Sequence, residues 1–528
     1  MIRKSFLLIG SAALVIASCT KLDEKFRGQL AEGEVGQTGN VDVAALLKGA
    51  YNSMQTQFQD QVGNYALGEM TTDELIGPTR GADWDDNGVW RVLHEHSWDG
   101  DNLRLIDNFR NLNGAVYATT NVLNYNPTPA QAAEARLLRA MAMYKELDGF
   151  DQVPYRDPGE STVGPSRVRK GAEALDYIIA EITDILPTLP AGPAGRANVN
   201  AGKALLMKCY LNKGVFASFE TRQNPTFAAA DMNQVITLAD QIINSGNYSF
   251  TPIYFDNFAP QNTTIGTENI WTQQNDEGIS GSTGSTVRAF YHSTMHYNQV
   301  PQGWNGFSTL SDFYDKFEAT DKRRGVAYPP YSGAPPNPGA RVNVGILAGQ
   351  QYNLTTDAPL DDRTGAPLIF TPEVSSIETG TNLEITGYRA YKYPIDYTND
   401  GSGNIDNDYV YLRLADVLLM KAEAILRGGT GTAAGPYGST PLAIVNYIRT
   451  LPSRGASALG SVTLDVLLDE RSREMYLEGW RREDLVRFGK FLQPFQEKPG
   501  TSDPKYLLFA IPNQQLAVNP NLKPNPGY

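Results

Sequence analysis

Only two of the 528 residues are cysteine and four are histidine. Two cysteines exclude a disulfide-stapled scaffold, and four histidines leave little material for a multi-metal centre. Basic residues are also short: 45 Lys and Arg face 58 Asp and Glu, a net charge of −13 with histidine neutral. That balance removes the electrostatic footprint of a nucleic-acid binder and of a polybasic membrane-surface protein. No apolar run reaches the ~20 residues that a membrane-spanning helix needs. A Gly-x-Ser-x-Gly elbow and a Gly-Lys-Ser/Thr phosphate loop are both missing, which removes two common routes to nucleophilic and phosphoryl-transfer chemistry. What is present is a foldable composition, 41% hydrophobic and 20% charged, with 49 Gly and 32 Pro in no collagen-like period.

The N-terminus reads as an export signal. Arg3 and Lys4 supply the positive start, residues 6–17 the apolar run, and Ile16-Ala17-Ser18-Cys19 the end. Small residues before a cysteine resemble the lipobox of bacterial lipoproteins. Residues 1–18 are therefore expected to be removed and Cys19 to carry the lipid, with acyl chains as the anchor. Residues 19–40 would be the tether. Its start, Thr20-Lys21-Leu22-Asp23-Glu24, resembles the surface-export tag of Bacteroidetes lipoproteins, which implies the extracellular face of the outer membrane. The second cysteine, Cys209, lies in an apolar helical stretch and is expected to be a buried, inert thiol.

Helical periodicity dominates the rest. Apolar residues recur at three-to-four spacing over 42–58, 104–124, 130–148, 170–187, 200–218, 231–245, 410–427, 439–451 and 464–492. Small residues at crossing positions (Ala135, Ala140 and Ala142; Ala201 and Ala204; Ala415, Ala422 and Ala424) would let antiparallel helices approach closely. The expected fold is mainly α, a tetratricopeptide-like stack of helix pairs. Residues 251–409 differ, being rich in Gly, Pro, Asn, Thr and aromatics, with strand-like pieces at 268–272 and 388–393. They are expected to form an irregular, ligand-binding lobe between an N-terminal scaffold at 41–250 and C-terminal helices with an extended tail at 410–528.

Three segments carry a family signal. They are residues 411–424 (Tyr-Leu-Arg-Leu-Ala-Asp-Val-Leu-Leu-Met-Lys-Ala-Glu-Ala), residues 469–490 (Asp-Glu-Arg-Ser-Arg-Glu-Met-Tyr-Leu-Glu-Gly-Trp-Arg-Arg-Glu-Asp-Leu-Val-Arg-Phe-Gly-Lys) and the C-terminal run 508–528. Together with 135–144, Val153-Pro154, 201–211 and the lipobox, they resemble the SusD/RagB family of outer-membrane nutrient-binding lipoproteins. Gln515, where an acidic residue is common, Pro524, where Gln is common, and the polar stretch 147–152 depart from the family pattern. The resemblance implies a surface glycan-binding lipoprotein that hands oligosaccharides to a SusC-like TonB-dependent transporter and acts as its lid. It implies no catalysis; a peptide receptor of the same uptake system and a surface glycoside hydrolase are the alternatives.

The acidic and basic pairs Glu470/Arg473, Glu478/Arg482 and Asp484/Arg487, three or four apart on one expected helix, read as a structural ion-pair network. The proline-rich tail is expected to lie along the scaffold. Sugars offer apolar C–H faces ringed by hydroxyls, so flat rings flanked by amides match them. Trp84, Trp90, Trp98 and Asn102, with Tyr297, Trp304 and Asn305, are the candidate ligand-binding residues, and Trp304, in a Gly-bounded turn, leads them. His94-Glu-His96 and His292-x-x-x-His296 invite a zinc reading, but Ser293 stands where a metalloprotease helix has Glu. Residues 396–408 suggest a calcium loop, with Gly401 at the sixth position but Asn407 in place of the bidentate Glu. No cofactor is expected, with calcium the one ion the loop leaves open.

Overall fold

Leu105, Phe109, Leu112 and Val116 fall on one helical face, and all four are buried. The same pattern builds a sequence of long helices in the computed structural model, which describes residues 41–275, 287–328 and 341–528. The export signal, Cys19 and the tether lie outside the described residues. Helix α1 (Val43–Ser53) rests on the hairpin of α2 (Leu103–Leu123) and α3 (Pro129–Phe150). Next come α4 (Gly171–Ile185), α5 (Val199–Leu211) and α6 (Ala229–Asn244), each packed on its predecessor. The following long helix, α7 (Leu414–Leu426), packs on α6 across a gap of some 170 residues, and α8 (Pro441–Arg449) and α9 (Leu464–Met475) pack on α7. All eight crossing alanines are buried, so the close approach they permit is realised. The molecule is a mainly helical stack with an irregular segment inserted between α6 and α7.

A two-stranded hairpin, β1 (Gln152–Tyr155) with β2 (Arg167–Lys170), follows α3. Within the insertion, β3 (Asn269–Gln273), β4 (Val344–Leu347), β5 (Arg389–Tyr391) and β6 (Tyr409–Arg413) form small antiparallel pairings. Strand β3 pairs with β6 and β4 with β5. The chain thus leaves the stack beside the strand by which it returns. Short pairings of 75–76 with 308–309, and of 79–80 with 377–378, stitch the segment before α2 to the insertion.

Two expected helices end differently. Residues 410–413 are strand β6: Tyr409, Val410, Tyr411 and Leu412 are β-formers, all buried, and pairing with β3 outweighs the helical pattern. The expected helix over 464–492 stops at Met475 and resumes as α10 (Arg481–Arg487). Leu477 and Gly479 adopt φ of 55° and 78° in between. A Cβ at Gly479 would lie 2.1 Å from Asn64 Nδ2, so only glycine allows this approach. Gly479 N–H donates to Glu69, and its carbonyl accepts from Lys145 at 2.9 Å. Glu470–Arg473 and Asp484–Arg487 pair as expected, at 2.8 and 2.5 Å. Glu478 and Arg482 fall on either side of the break and do not pair. Glu478 binds Arg413 at 2.7 Å and Lys392 at 2.5 Å, and Arg482 binds Asp148 at 3.3 Å.

These pairs belong to a buried ionic cluster. Glu474 contacts Arg413, Arg454 and Arg323 at 2.7, 2.8 and 3.0 Å, and all four side chains are fully buried. Glu268, just before β3, binds Arg413 and Arg454 at 3.2 and 2.9 Å. The tail docks as expected: Asn525 Nδ2 donates to the carbonyls of Phe150 and Phe509, and Phe509 N–H donates to Gly149. Trp98 Nε1 donates to the terminal Tyr528 hydroxyl at 2.7 Å.

Removing one member of a buried ion cluster strands the others, which costs about 3–5 kcal/mol. Glu474→Ala should therefore lower the denaturant midpoint far more than Glu173→Ala at an exposed helix pair; equal shifts would show the cluster to be dispensable. Burial alone would raise the Glu470 carboxyl, but Arg323, Arg473 and Arg449 hold it down at about 2. Glu474 is likewise held well below the ordinary range, burial being outweighed by Arg454, Arg413 and Arg323. A depressed folded pKa contributes stability above the unfolded value that is lost as pH falls. Melting temperature should consequently drop between about pH 4.5 and 2, and Glu470→Gln should flatten that limb in a pH series. Asn102, an expected ligand contact, is instead the N-cap of α2: Oδ1 accepts from Arg104 N–H at 2.9 Å and Leu105 N–H at 3.4 Å. Asn102→Ala should cost about 1 kcal/mol in denaturant titration and leave ligand affinity unchanged.

Candidate functional site

Two buried arginines that form no ion pair among the described residues organise one face of the insertion. Arg80 donates to the carbonyls of Gly306, Leu383 and Thr386 and to the hydroxyls of Ser308 and Thr386, at 2.6 to 3.1 Å. Arg389 donates to Asn305 Oδ1 at 3.0 Å, to Ser308 Oγ and to the carbonyls of Glu384, Thr386 and Gly387. Burial lowers both guanidiniums, Arg80 to about 10, and for Arg389 the neighbouring Arg80 charge adds to it. The two side chains tie residues 80, 305–308 and 383–387 into one base. Neither drew attention in the sequence, because an arginine read alone signals surface. Among the described residues, every side-chain hydrogen bond of Arg80 reaches a residue more than 200 positions away.

On that base sits a cluster of rings. Trp84, half-buried, adopts φ of 59°, rare for a bulky residue. Its ring lies so close over Gly306 that a Cβ there would meet it at 2.4 Å. Trp84 Nε1 donates to the Trp304 carbonyl at 3.0 Å. Below it, Phe307 and Trp90 pack edge-on and tilted at ring-centroid distances of 4.9 and 6.0 Å. Trp304 is 40% exposed, with one face stacked on His292 at 5.5 Å and 19°. His292 is fixed from both sides: Nδ1 lies 2.8 Å from the Gln302 carbonyl and Nε2 2.9 Å from Asp400. Burial would raise the Asp400 carboxyl, but hydrogen bonds from His292 and Tyr291 hold it below its ordinary value. Among the described residues no second ring packs on Trp304.

Beside it, the Tyr297 hydroxyl donates to Asp83 at 3.3 Å, and the Arg363 guanidinium lies 3.9 Å from the Tyr297 ring centre. Arg363 also pairs with Glu384, whose carboxyl accepts from His296 Nε2 at 2.9 Å. His296 Nδ1 accepts from Asn298 N–H at 3.1 Å, so the proton sits on Nε2. Trp84, Tyr297 and Trp304 thus share one platform, rimmed by Asp83, Arg363 and Glu384. Past Tyr297 the chain turns into a cleft of about 220 Å³, lined by Asn298, Gln350, Tyr352, Asn353 and Tyr397 among others.

The other expected contacts are placed differently. Trp90 is 4% exposed and supports Trp84 from beneath, its Nε1 donating to Asp86 at 2.7 Å. Trp98 is 2% exposed, clamped among His96, Tyr506 and Phe509, and offers no face to a ligand. Asn305 is 2% exposed, and its oxygen is taken by Arg389. Ring density in the sequence located these residues; it could not say which side of each ring faces out. His94 and His96 are structural. Burial lowers them to about 4 and about 3, and they bind carbonyls and Ser502. Burial likewise raises the Cys209 thiol, suppressing reactivity. In the acidic loop, Asp396 accepts from the N–H groups of Thr398, Asn399 and Asp406, which makes it a turn-forming residue. Among the described residues no group of three or more acidic, histidine or cysteine side chains could hold a metal. Nor is any described helix long and apolar enough to cross a membrane.

The SusD family model matches residues 267–528. The starch-binding protein SusD of Bacteroides thetaiotaomicron is 27% identical over 432 residues, 76% of this chain and 73% of that protein. Two solved structures share the fold. Surface glycan-binding protein A of Bacteroides thetaiotaomicron, in complex with laminarihexaose, gives a TM-score of 0.66 at 16% identity, covering 92% of this chain and 98% of its own. Surface glycan-binding protein A of Bacteroides uniformis gives 0.64 at 17%, with the same coverage. All three are named as binding proteins and not as enzymes. By the motifs of its C-terminal half, the helix stack that carries them and these likenesses, the chain belongs to the SusD/RagB family.

Proposed function

We propose that the protein is a surface glycan-binding lipoprotein, anchored through Cys19 to the outer membrane and facing the medium. It captures oligosaccharides and passes them unaltered to a SusC-like TonB-dependent transporter, over which it closes as a lid. The observation that carries the binding reading is Trp304: a large ring held rigidly by His292 from behind, with its free face outward and Tyr297 beside it. A pyranose presents an apolar face to such a ring while its equatorial hydroxyls reach the rim. Asp83 and Glu384 can accept from those hydroxyls, and Arg363 can donate to them. The named ligands of the relatives, starch and laminarihexaose, agree in class. The transporter and the anchor rest on family membership and on the lipobox.

The reading requires no bond-breaking step. The carboxylates at the rim are paired with Arg363, His296 or Tyr297, which suits recognition better than proton transfer.

Trp304→Ala should weaken binding of the preferred oligosaccharide by about 1–3 kcal/mol, the loss typical of one stacking ring, with melting temperature unchanged. Calorimetry against a panel that includes maltohexaose and laminarihexaose measures it, and chromatography of the same mixtures should show no shorter products. Unchanged affinity would remove Trp304 from the site, and released sugars would replace capture with hydrolysis.

A further inference from the structure

The cleft beside the platform has a chemistry of its own. Its volume, about 220 Å³, is below the ~300 Å³ at which pockets for drug-sized ligands begin and suits one sugar ring. Its polar side chains are aimed by bonds to the backbone. Asn298 Nδ2 donates to the Asp361 carbonyl at 2.8 Å, and Gln350 Nε2 donates to the Gln351 and Leu360 carbonyls at 2.8 and 2.9 Å. Those bonds fix both amides and leave Asn298 Oδ1 and Gln350 Oε1 as acceptors with no partner among the described residues. Asn353 is fixed in the opposite sense: its Oδ1 accepts from the N–H groups of Thr355 and Thr356, which leaves Nδ2 to donate. The hydroxyls of Tyr352 and Tyr397 also make no hydrogen bond within the described residues. Charge is nearly excluded. The one charged residue lining the cleft among those described, Arg341, is paired with Asp357 at 3.1 Å and lies over the Tyr352 ring.

These polar atoms are held in fixed directions and left to solvent, so a ligand that matches them exchanges water for hydrogen bonds already aimed at it. Acceptors, donors and two aromatic rings around a small volume, with no unpaired charge, match a sugar ring and not an anion. Asn298 in the cleft directly follows Tyr297 on the platform, about 3.8 Å apart along the chain. We propose that the cleft is a second carbohydrate subsite that takes a single neutral pyranose residue, the terminus or a branch of a glycan whose next residues stack on Tyr297 and Trp304. This rests on the glycan-binding reading and refines it: the protein would select for a neutral end or side branch and not only for a stackable chain.

The test is ligand-observed NMR with the full chain against glucose, galactose, mannose, xylose and N-acetylglucosamine, with glucuronate as the charged comparison. Wild type, Trp304→Ala, Tyr352→Phe/Tyr397→Phe and Ala348→Phe are compared. Because the two hydroxyls have no protein partner, the double Phe variant should melt like wild type; Ala348→Phe fills the cleft without touching the platform. At least one neutral sugar should bind, weaken fivefold or more in both cleft variants, and stay within twofold of wild type in Trp304→Ala. Three results overturn the subsite: no sugar binds, glucuronate binds best, or Trp304→Ala alone abolishes binding. Hexasaccharide binding that is lost only in Trp304→Ala would overturn the cleft and leave the platform standing. A sugar held by the cleft, with no hexasaccharide bound by the platform, would do the reverse.

Discussion

Glu474 is completely enclosed, and three guanidiniums meet it there from three parts of the chain: Arg323 in the insertion, Arg413 on β6 and Arg454 after α8. Taking one such carboxylate out of water costs several kcal/mol, and the cost is offset only when every partner is in place. The cluster therefore makes the helix stack and the insertion conditional on each other. Glu268 extends it to the entrance of the insertion, and Arg413 lies at the exit, so the β3–β6 pair that closes the insertion is pinned by charge at both strands. A loop-rich segment of this length has little periodic core of its own. Here its position relative to the helices is set by ion pairs whose geometry tolerates little displacement.

A neutral variant of the same device builds the platform. Arg80 and Arg389 bind carbonyls and hydroxyls instead of carboxylates, so they gather three backbone segments without adding anions beside a binding surface. That base is what allows Trp84 to sit at φ of 59°, a conformation that costs about 1–3 kcal/mol. The constraint is over-determined by the bond to the Trp304 carbonyl, the missing Cβ of Gly306 and the rings of Trp90 and Phe307. A platform already rigid before ligand arrives has little ordering entropy left to lose on binding.

How much of this could be read beforehand depends on the range of the contacts. The stack of helices was legible because its signal is local: apolar residues at helical spacing and alanines at crossings. The tail was legible because prolines pre-extend it. Strand β6 was misread as helix because its four apolar residues fit either period, and only pairing with β3, some 140 residues earlier, decides. The break at Gly479 is set by Asn64 and Glu69, some 410 residues away. Trp84, Tyr297 and Trp304 lie on one face of the insertion, whereas Trp98 and Asn305, of the same chemistry, are buried. Asn102 did carry a local sign of its real role, an Asn directly before a periodic apolar run, which is how helices begin. Arg80 carried no sign at all, since its side-chain partners lie more than 200 residues away, and Arg389 combines carbonyls two to five residues before it with Asn305 and Ser308, some 80 residues earlier.

The distribution of charge also bears on what the platform can hold. Arg413 and Arg487 are spent inside on Glu474, Glu478, Asp484 and Glu423, while the net charge remains −13. The platform and the cleft beside it present rings and amides, with Arg363 already paired to Glu384. An anionic glycan would approach a negative molecule and find, among the described residues of the cleft, no unshared cation to offset its desolvation. A neutral glycan meets neither penalty: it stacks, exchanges water for fixed amides and hydroxyls, and owes little of its affinity to charge that salt would screen. On the proposed reading, the fold that needs its arginines for its own assembly would leave a surface suited to uncharged sugars.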